Sequence, residues 1–313
     1  MADFKYYASD DLNNENYGSH EIEVSLEGES GLQEQLKRCT KNPGHTKFIP
    51  VDDFKMDHLP IKYQDEDVLQ MIKSLSGLTV KLLTNAVSPA RPDHYNNTRI
   101  PYPLSKYKGF INIASSGSGR VANVFKESDI CKTATTVEHV WNVRVRTAAH
   151  VVFDEFEMDS VKGIVGYDSE RSSTTILTGK RLRSEVCEDF SEIEFLTEDA
   201  ALAGSLGGHL NSYYDSCFKI KEKFEGRAVP DKKLAVVVSH PHGAPKQVSV
   251  GEWIRMDESR SSSDFENAFI YGTSTCAGSS GGPVYIMGRM GWVAPYPHSG
   301  THKEGNFSSV VSF

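Results

Sequence analysis

Little in this chain of 313 residues points to redox, metal or membrane chemistry. There are five cysteines, at positions 39, 131, 187, 217 and 276. The count is odd and no two form a Cys-x-x-Cys pair, so neither a disulfide framework nor a zinc ribbon is expected. Reduced thiols fit a reducing compartment, and an intracellular protein is the expectation. No apolar run is long enough to span a bilayer. The polar, acidic start lacks the basic-then-apolar pattern of a secretory signal. No membrane partner is therefore expected. The net charge is −8, and basic residues do not cluster with aromatics, which argues against a nucleic-acid partner. No internal repeat is present. The two histidines of Ser239-His-Pro-His-Gly243 lack a third and fourth ligand at recognisable spacing and read as a hairpin turn. No metal and no cofactor are expected.

What is present is a series of short strands punctuated by glycine and proline. Residues 113–121, 143–146, 234–238, 247–253, 269–273 and 284–287 carry strand patterns, and 79–83 reads as a further strand. Val143 and Val145 alternate with Arg144 and Arg146, the period of a half-buried strand. Two helices are expected in the first quarter of the chain. One covers 31–39 and ends at Lys41-Asn-Pro-Gly44. The other covers 66–75, where Val68, Leu69, Met71, Ile72 and Leu75 share a face. Ser88-Pro-Ala-Arg-Pro92 marks a loop. The mixed-charge run Lys219-Ile-Lys-Glu-Lys223 reads as a solvated face.

One stretch carries chemistry. Residues 276–284 read Cys-Ala-Gly-Ser-Ser-Gly-Gly-Pro-Val. Gly278 allows a tight turn on which the N–H groups of Gly278 and Ser280 converge on one point. Gly281 and Gly282 leave room for a substrate backbone. A serine hydroxyl needs a base to be a useful nucleophile. The strand 143–146 runs into Thr147-Ala-Ala-His150, where small residues allow close packing behind the imidazole. Between His150 and Ser280 lie two candidate carboxylates. Asp189 opens the strand pattern Asp189-Phe-Ser-Glu-Ile-Glu-Phe195, and Asp199 precedes the helix-prone Ala200-Ala-Leu-Ala203. Asp189 is the preferred choice. Gly278-x-Ser280-x-Gly282 also fits the nucleophile elbow of α/β-hydrolases, but that fold needs its acid after the serine, and no aspartate follows Ser280. The aspartate-first order of subtilisin is likewise not the order here.

Together, Thr147-Ala-Ala-His150 and Gly278-Ser-Ser-Gly-Gly-Pro283 make residues 75–313 resemble the trypsin/chymotrypsin-like serine peptidases. The resemblance implies an all-β fold of two six-stranded antiparallel barrels with the catalytic groups in the cleft between them. It implies a triad of Ser280 as nucleophile, His150 as base and Asp189 as its orienting acid, with the Gly278 and Ser280 N–H groups as oxyanion hole. The chain is longer than the about 220–250 residues that one such domain needs. Residues 1–62 are read as a polar, partly helical N-terminal extension and 63–313 as the peptidase domain, with the barrels meeting near 205–230.

There are departures from the family. Ser279 stands where the digestive and clotting enzymes have an aspartate that pairs with a freshly cut N-terminus, so activation of that kind is not expected. The usual disulfide across the specificity pocket cannot form, because no cysteine follows Cys276. Ser274 and Thr275 correspond to one wall of that pocket and His298 to another. The Thr275–His298 pair resembles that of the glutamyl endopeptidases, and the picornaviral cysteine proteases use a similar pair for glutamine. An imidazole and a hydroxyl can each donate to a carboxylate or amide oxygen, and a protonated His298 would favour glutamate. The expectation is therefore an endopeptidase acting on protein or peptide substrates, cutting after Glu with Gln second. One alternative is a catalytically inactive protease-fold module that binds peptides. Another is an enzyme whose residues 1–60 occlude its own cleft.

Overall fold

The computed structural model describes residues 17–95, 101–127, 140–225, 234–257, 268–288 and 296–309. In chain order, the first part holds β1 (Tyr17–His20), β2 (Glu23–Ser25), α1 (Glu29–Lys37), β3 (Ile49–Pro50) and α2 (Glu66–Leu78). There follow β4 (Thr79–Ala86), β5 (Ile111–Lys126), β6 (Trp141–Thr147), α3 (Glu155–Met158), β7 (Lys162–Val165), β8 (Thr175–Glu185) and β9 (Phe190–Thr197). Helix α4 (Ala200–Glu225) leads to β10 (Leu234–Ser239), β11 (Gln247–Asp257), β12 (Ala268–Tyr271), β13 (Pro283–Ile286), β14 (Tyr296–His302) and β15 (Gly305–Ser308).

Strands β5-β4-β7-β8-β9-β6 pair in that order, and β6 returns to β5. Strands β14-β13-β10-β11-β12-β15 do the same, and β15 returns to β14. Each set is a closed, six-stranded antiparallel barrel, and together they are the chymotrypsin-like fold. The alternation in β6 shows why these segments close: Val143 and Val145 are fully buried inside the first barrel. Their neighbours Arg144 and Arg146 point outward and pair with Glu194 and Glu192 directly across on β9, the cross-strand arrangement that stabilises a sheet face.

The described residues before α2 do not stand apart. β1 adds to β14, β2 adds to β5 and β3 adds to β11. Helix α2 lies along α4, with Ser74 Oγ donating to Ser212 Oγ at 2.9 Å. Its face Val68, Met71, Ile72, Leu75 and Leu78 is buried in one core that includes Val145 and Phe195 of the first barrel and Val236 and Tyr285 of the second. The chain crosses between barrels through α4, which spans Ala200–Glu225. Asp199 caps that helix, accepting from Leu202 N at 2.9 Å. No helix among the described residues is long and apolar enough to cross a membrane.

Candidate active site

Ser280 lies on the turn between β12 and β13. Gly278 has φ +89°, and a Cβ there would stand 2.6 Å from the His240 carbonyl oxygen. Only glycine can take this position. Ser118 of β5 clamps the turn onto the first barrel: its N–H donates to Ser280 O at 2.7 Å and its hydroxyl to Gly278 O at 2.9 Å. Ser279 does not point into the cleft's chemistry. Its Oγ accepts from Cys276 N and from Ser239 Oγ, each at 3.1 Å. Gly281 and Gly282 differ from expectation. A Cβ on Gly281 would meet Ser118 O at 2.1 Å and one on Gly282 would meet Val238 O at 2.8 Å, so these glycines admit the protein's own backbone and leave no room for a substrate.

His150 follows β6 and is fully buried. Its Nδ1 lies 2.8 Å and 2.9 Å from the two Asp189 carboxylate oxygens, and its Nε2 lies 2.6 Å from Ser280 Oγ. A carboxylate only accepts, so Nδ1 carries a proton and donates to Asp189, while Nε2 faces the Ser280 hydroxyl. Asp189 sits at the corner between β8 and β9 with φ +53°, a left-handed conformation that a short polar side chain tolerates. Its Oδ1 also accepts the His150 N–H at 3.0 Å, and its Oδ2 accepts the Ser299 hydroxyl. Burial alone would raise the Asp189 carboxyl, but the charge and hydrogen bond of His150, with help from His20 and Ser299, hold it well below the usual carboxylate range. The structure thus brings together His150, Asp189 and Ser280, and leaves Asp199 at the head of α4.

A buried pair behind the histidine has no counterpart in the sequence reading. Arg91, in the loop expected at 88–92, bonds both oxygens of Glu157, at 2.6 Å and 2.7 Å. Its Nη2 also donates to the His150 carbonyl oxygen at 3.0 Å. Glu157 in turn accepts the Ser88 and Phe153 N–H groups, each at 2.9 Å.

The cleft is filled by the chain's own residues. β1 runs antiparallel to β14, with His20 opposite Gly300. Glu21 N donates to Ser299 O at 3.4 Å, and Glu21 O accepts from Gly278 N at 2.7 Å and Ser280 N at 3.3 Å. Both N–H groups read as an oxyanion hole therefore hold one carbonyl oxygen, that of Glu21. The His20 ring lies 4.4 Å from the His150 ring. Beyond Ile22 the segment continues as β2 along β5, with Glu23 opposite Ser116.

The Glu21 side chain reaches the wall built from the expected pocket residues. His298 Nε2 is 2.7 Å from Glu21 Oε2. Lys41 bonds Glu21 Oε1, and also Thr275 Oγ1 at 3.1 Å and Asn306 Oδ1 at 2.9 Å. Thr275 thus meets the carboxylate through Lys41 and not directly. Ser274 makes no hydrogen bond to Glu21 among the described residues; its carbonyl accepts from Ser249 Oγ at 2.7 Å. Tyr271 Oη lies 2.6 Å from His298 Nδ1. Burial lowers the pKa of His298, and the Glu21 hydrogen bond and charge oppose that shift. Its Nε2–H donates to the carboxylate, and Nδ1 faces the Tyr271 hydroxyl. Burial would raise the Glu21 carboxyl, but the His298 bond and then Lys41 outweigh it and hold it at about 2. Lys41 brings a fixed positive charge to this wall. Lys41, Tyr271 and Glu21 itself were not anticipated.

No protein-family model matches the sequence, and no curated protein matches it. Among solved structures, the Deg5 structure aligns at a TM-score of 0.42 and 12% identity, covering 80% of this chain and 90% of that one. The active form of the Rv3671c protease from M. tuberculosis aligns at 0.41 and 13%, covering 77% and 79%. The HtrA-type protease AlgW with a tripeptide aligns at 0.42 and 11%, covering 77% and 58%. The last two are described as proteases, but at such scores the fold assignment rests on the strand pairing alone.

Proposed function

We propose that the protein is a serine endopeptidase that cuts after glutamate. Ser280 Oγ attacks the peptide carbonyl while His150 Nε2 takes its proton, and Asp189 holds the tautomer and stabilises the imidazolium. The Gly278 and Ser280 N–H groups receive the developing oxyanion. His150 then protonates the leaving amine, and water hydrolyses the acyl-enzyme. The reaction draws on no group beyond these side chains and backbone amides.

The observation that carries this reading is the seating of Glu21. One residue has its carbonyl oxygen on both oxyanion donors and its carboxylate on His298 and Lys41. A site that hydrogen-bonds a buried carboxylate rejects side chains that leave its polar groups unpaired. The test is a peptide library varied at the residue before the cut, read by mass spectrometry with wild type and Ser280→Ala. Cleavage after Glu, weaker cleavage after Gln and none by Ser280→Ala is expected. A profile led by Arg or Phe would remove the pocket assignment, and unchanged turnover by Ser280→Ala would remove the nucleophile.

A further inference from the structure

Behind the 274–276 wall, four side chains from distant parts of the chain converge. Cys39 Sγ lies 3.5 Å from Cys276 Sγ, and Cys276 Sγ lies 3.5 Å from His45 Nε2. With His242, one potential ligand atom from each residue falls within 4.8 Å of all the others. The edges of a tetrahedral site with Zn–S and Zn–N bonds of the usual length are about 3.3–3.8 Å, so the two measured separations already match. His242 is placed for a ligand's role. Its Nδ1 is engaged by Glu23 Oε2 at 2.5 Å, which leaves Nε2 as the free nitrogen, buried and without a hydrogen-bond partner. A carboxylate behind a histidine is the usual outer support of a zinc ligand. Asn42 supports both sulfurs, its Nδ2 donating to Cys276 Sγ at 3.1 Å and its N–H to Cys39 Sγ at 3.5 Å. Neither cysteine is in a disulfide.

We propose that Cys39, His45, His242 and Cys276 form a structural zinc site. Two thiolates and two imidazoles neutralise the ion and fill a tetrahedron, leaving no open position for catalysis. The ion would pin residues 39–45 to the pocket wall and so hold Lys41 against Thr275. Sequence spacing could not reveal it, because the ligands come from a loop, a hairpin turn and the nucleophile turn.

The test is the zinc content of the purified full chain by plasma mass spectrometry, followed by cobalt substitution. One zinc per chain is expected, and the cobalt form should show tetrahedral visible bands with a near-ultraviolet thiolate charge-transfer band. Cys39→Ser and His45→Ala should each lose the metal, and Cys217→Ser should keep it. A metal-free chain that takes up no zinc against a chromophoric chelator would overturn the site. So would Cys39→Ser retaining one zinc, which would mark the ion as adventitious.

A second inference rests on the peptidase reading and on a different observation, the path of residues 18–25. The segment crosses Ser280 with paired strands on both sides, β1 on β14 and β2 on β5. We infer that Glu21–Ile22 is the first bond this enzyme cuts, within its own chain. Ser280 Oγ adds to the Glu21 carbonyl carbon. Its proton passes through His150 to the Ile22 nitrogen as the C–N bond breaks, and water then releases the Glu21 carboxylate and restores Ser280. Residues 22–25 stay anchored by β2 and by Glu23 on His242, while departure of the segment ending at Glu21 opens the pocket. Ser279 is engaged with Ser239 and Cys276, so opening of the pocket, and not capture of the new N-terminus, is the activating event.

Intact mass and N-terminal sequencing over time test this. Wild type should yield a chain beginning at Ile22 at a first-order rate unchanged by tenfold dilution. Ser280→Ala should stay intact, and Glu21→Ala should slow cleavage by about 100-fold or more. A rate that falls on dilution would overturn cutting within the chain. Wild type that hydrolyses glutamyl peptides while Glu21–Ile22 stays whole would overturn this inference and leave the peptidase reading standing. Failure of both reactions would overturn both.

Discussion

Glu21 is a carboxylate with 4% of its surface exposed, and a buried charge is tolerable only where donors surround it. Lys41 supplies a fixed charge and His298 a second donor. Lys41→Met keeps the aliphatic stem and removes the charge, and a charge-assisted hydrogen bond contributes about 2 kcal/mol. Peptides with Glu before the cut should therefore lose roughly thirtyfold in kcat/KM, while Gln peptides change little; equal losses for both would assign Lys41 a merely structural part. The docked Glu21 also makes stability depend on pH. Its pKa is lowered from 4.5 to about 2, so its contribution is fully present above pH 4.5 and is lost as pH falls toward 2. At 1.36 kcal/mol per unit this is on the order of 3 kcal/mol. The melting temperature of Ser280→Ala should exceed that of Ser280→Ala/Glu21→Gln at pH 6, and the gap should close between pH 4.5 and 2. At this scale the sequence was readable where chemistry is local: Ser280 and His150 announce themselves by their neighbours. Lys41 and Tyr271 do not, since Lys41 meets Thr275 across 234 positions, Tyr271 meets His298 across 27, and neither sits in a motif.

The loop between β4 and β5 and helix α3 are joined by Arg91 and Glu157, both with side chains at 1% exposure or less. Arginine's planar fork reaches both carboxylate oxygens and the His150 carbonyl at once, which a lysine cannot do. Removing one member of a buried pair leaves the other charge unpaired, at about 3–5 kcal/mol. Arg91→Ala should therefore lower urea stability by that amount, and Arg91→Lys should recover only part of it. A loss below about 1 kcal/mol would show that the pair is solvated in solution. Strands were the legible elements, because alternation such as Val143-Arg-Val-Arg146 follows directly from a half-buried sheet. Residues 88–92 could be read only as a loop, since a buried ion pair inside irregular chain leaves no periodic trace. The same limit explains Gly281 and Gly282, where the sequence says that something approaches closely but not whether it is substrate or the protein itself.

Two closed barrels could in principle unfold separately, because each completes its own sheet. Here helices α2 and α4 bury Val68, Met71, Leu75, Leu206 and Tyr213 in one core with residues of both barrels, and β1, β2 and β3 tie residues 17–50 to both. The strand patterns supported only an all-β reading; the two closed barrels were expected through the resemblance carried by Thr147-Ala-Ala-His150 and Gly278-Ser-Ser-Gly-Gly-Pro283. This weave was not, because short polar strands such as Glu23–Ser25 gain their place from partners nearly a hundred residues away. The shared core predicts a single cooperative transition. Trp141 lies on β6 in the first barrel and Trp253 on β11 in the second, so each can report its own barrel once the other two tryptophans, Trp292 among them, are replaced by Phe. Urea transitions followed through either residue should superimpose. Leu75→Ala, a cavity in the joint core worth about 2–5 kcal/mol, should move both curves by the same amount. Separation of the two curves, or a shift in only one, would mean that the helical layer belongs to a single barrel and that the cleft between the barrels can open without global unfolding.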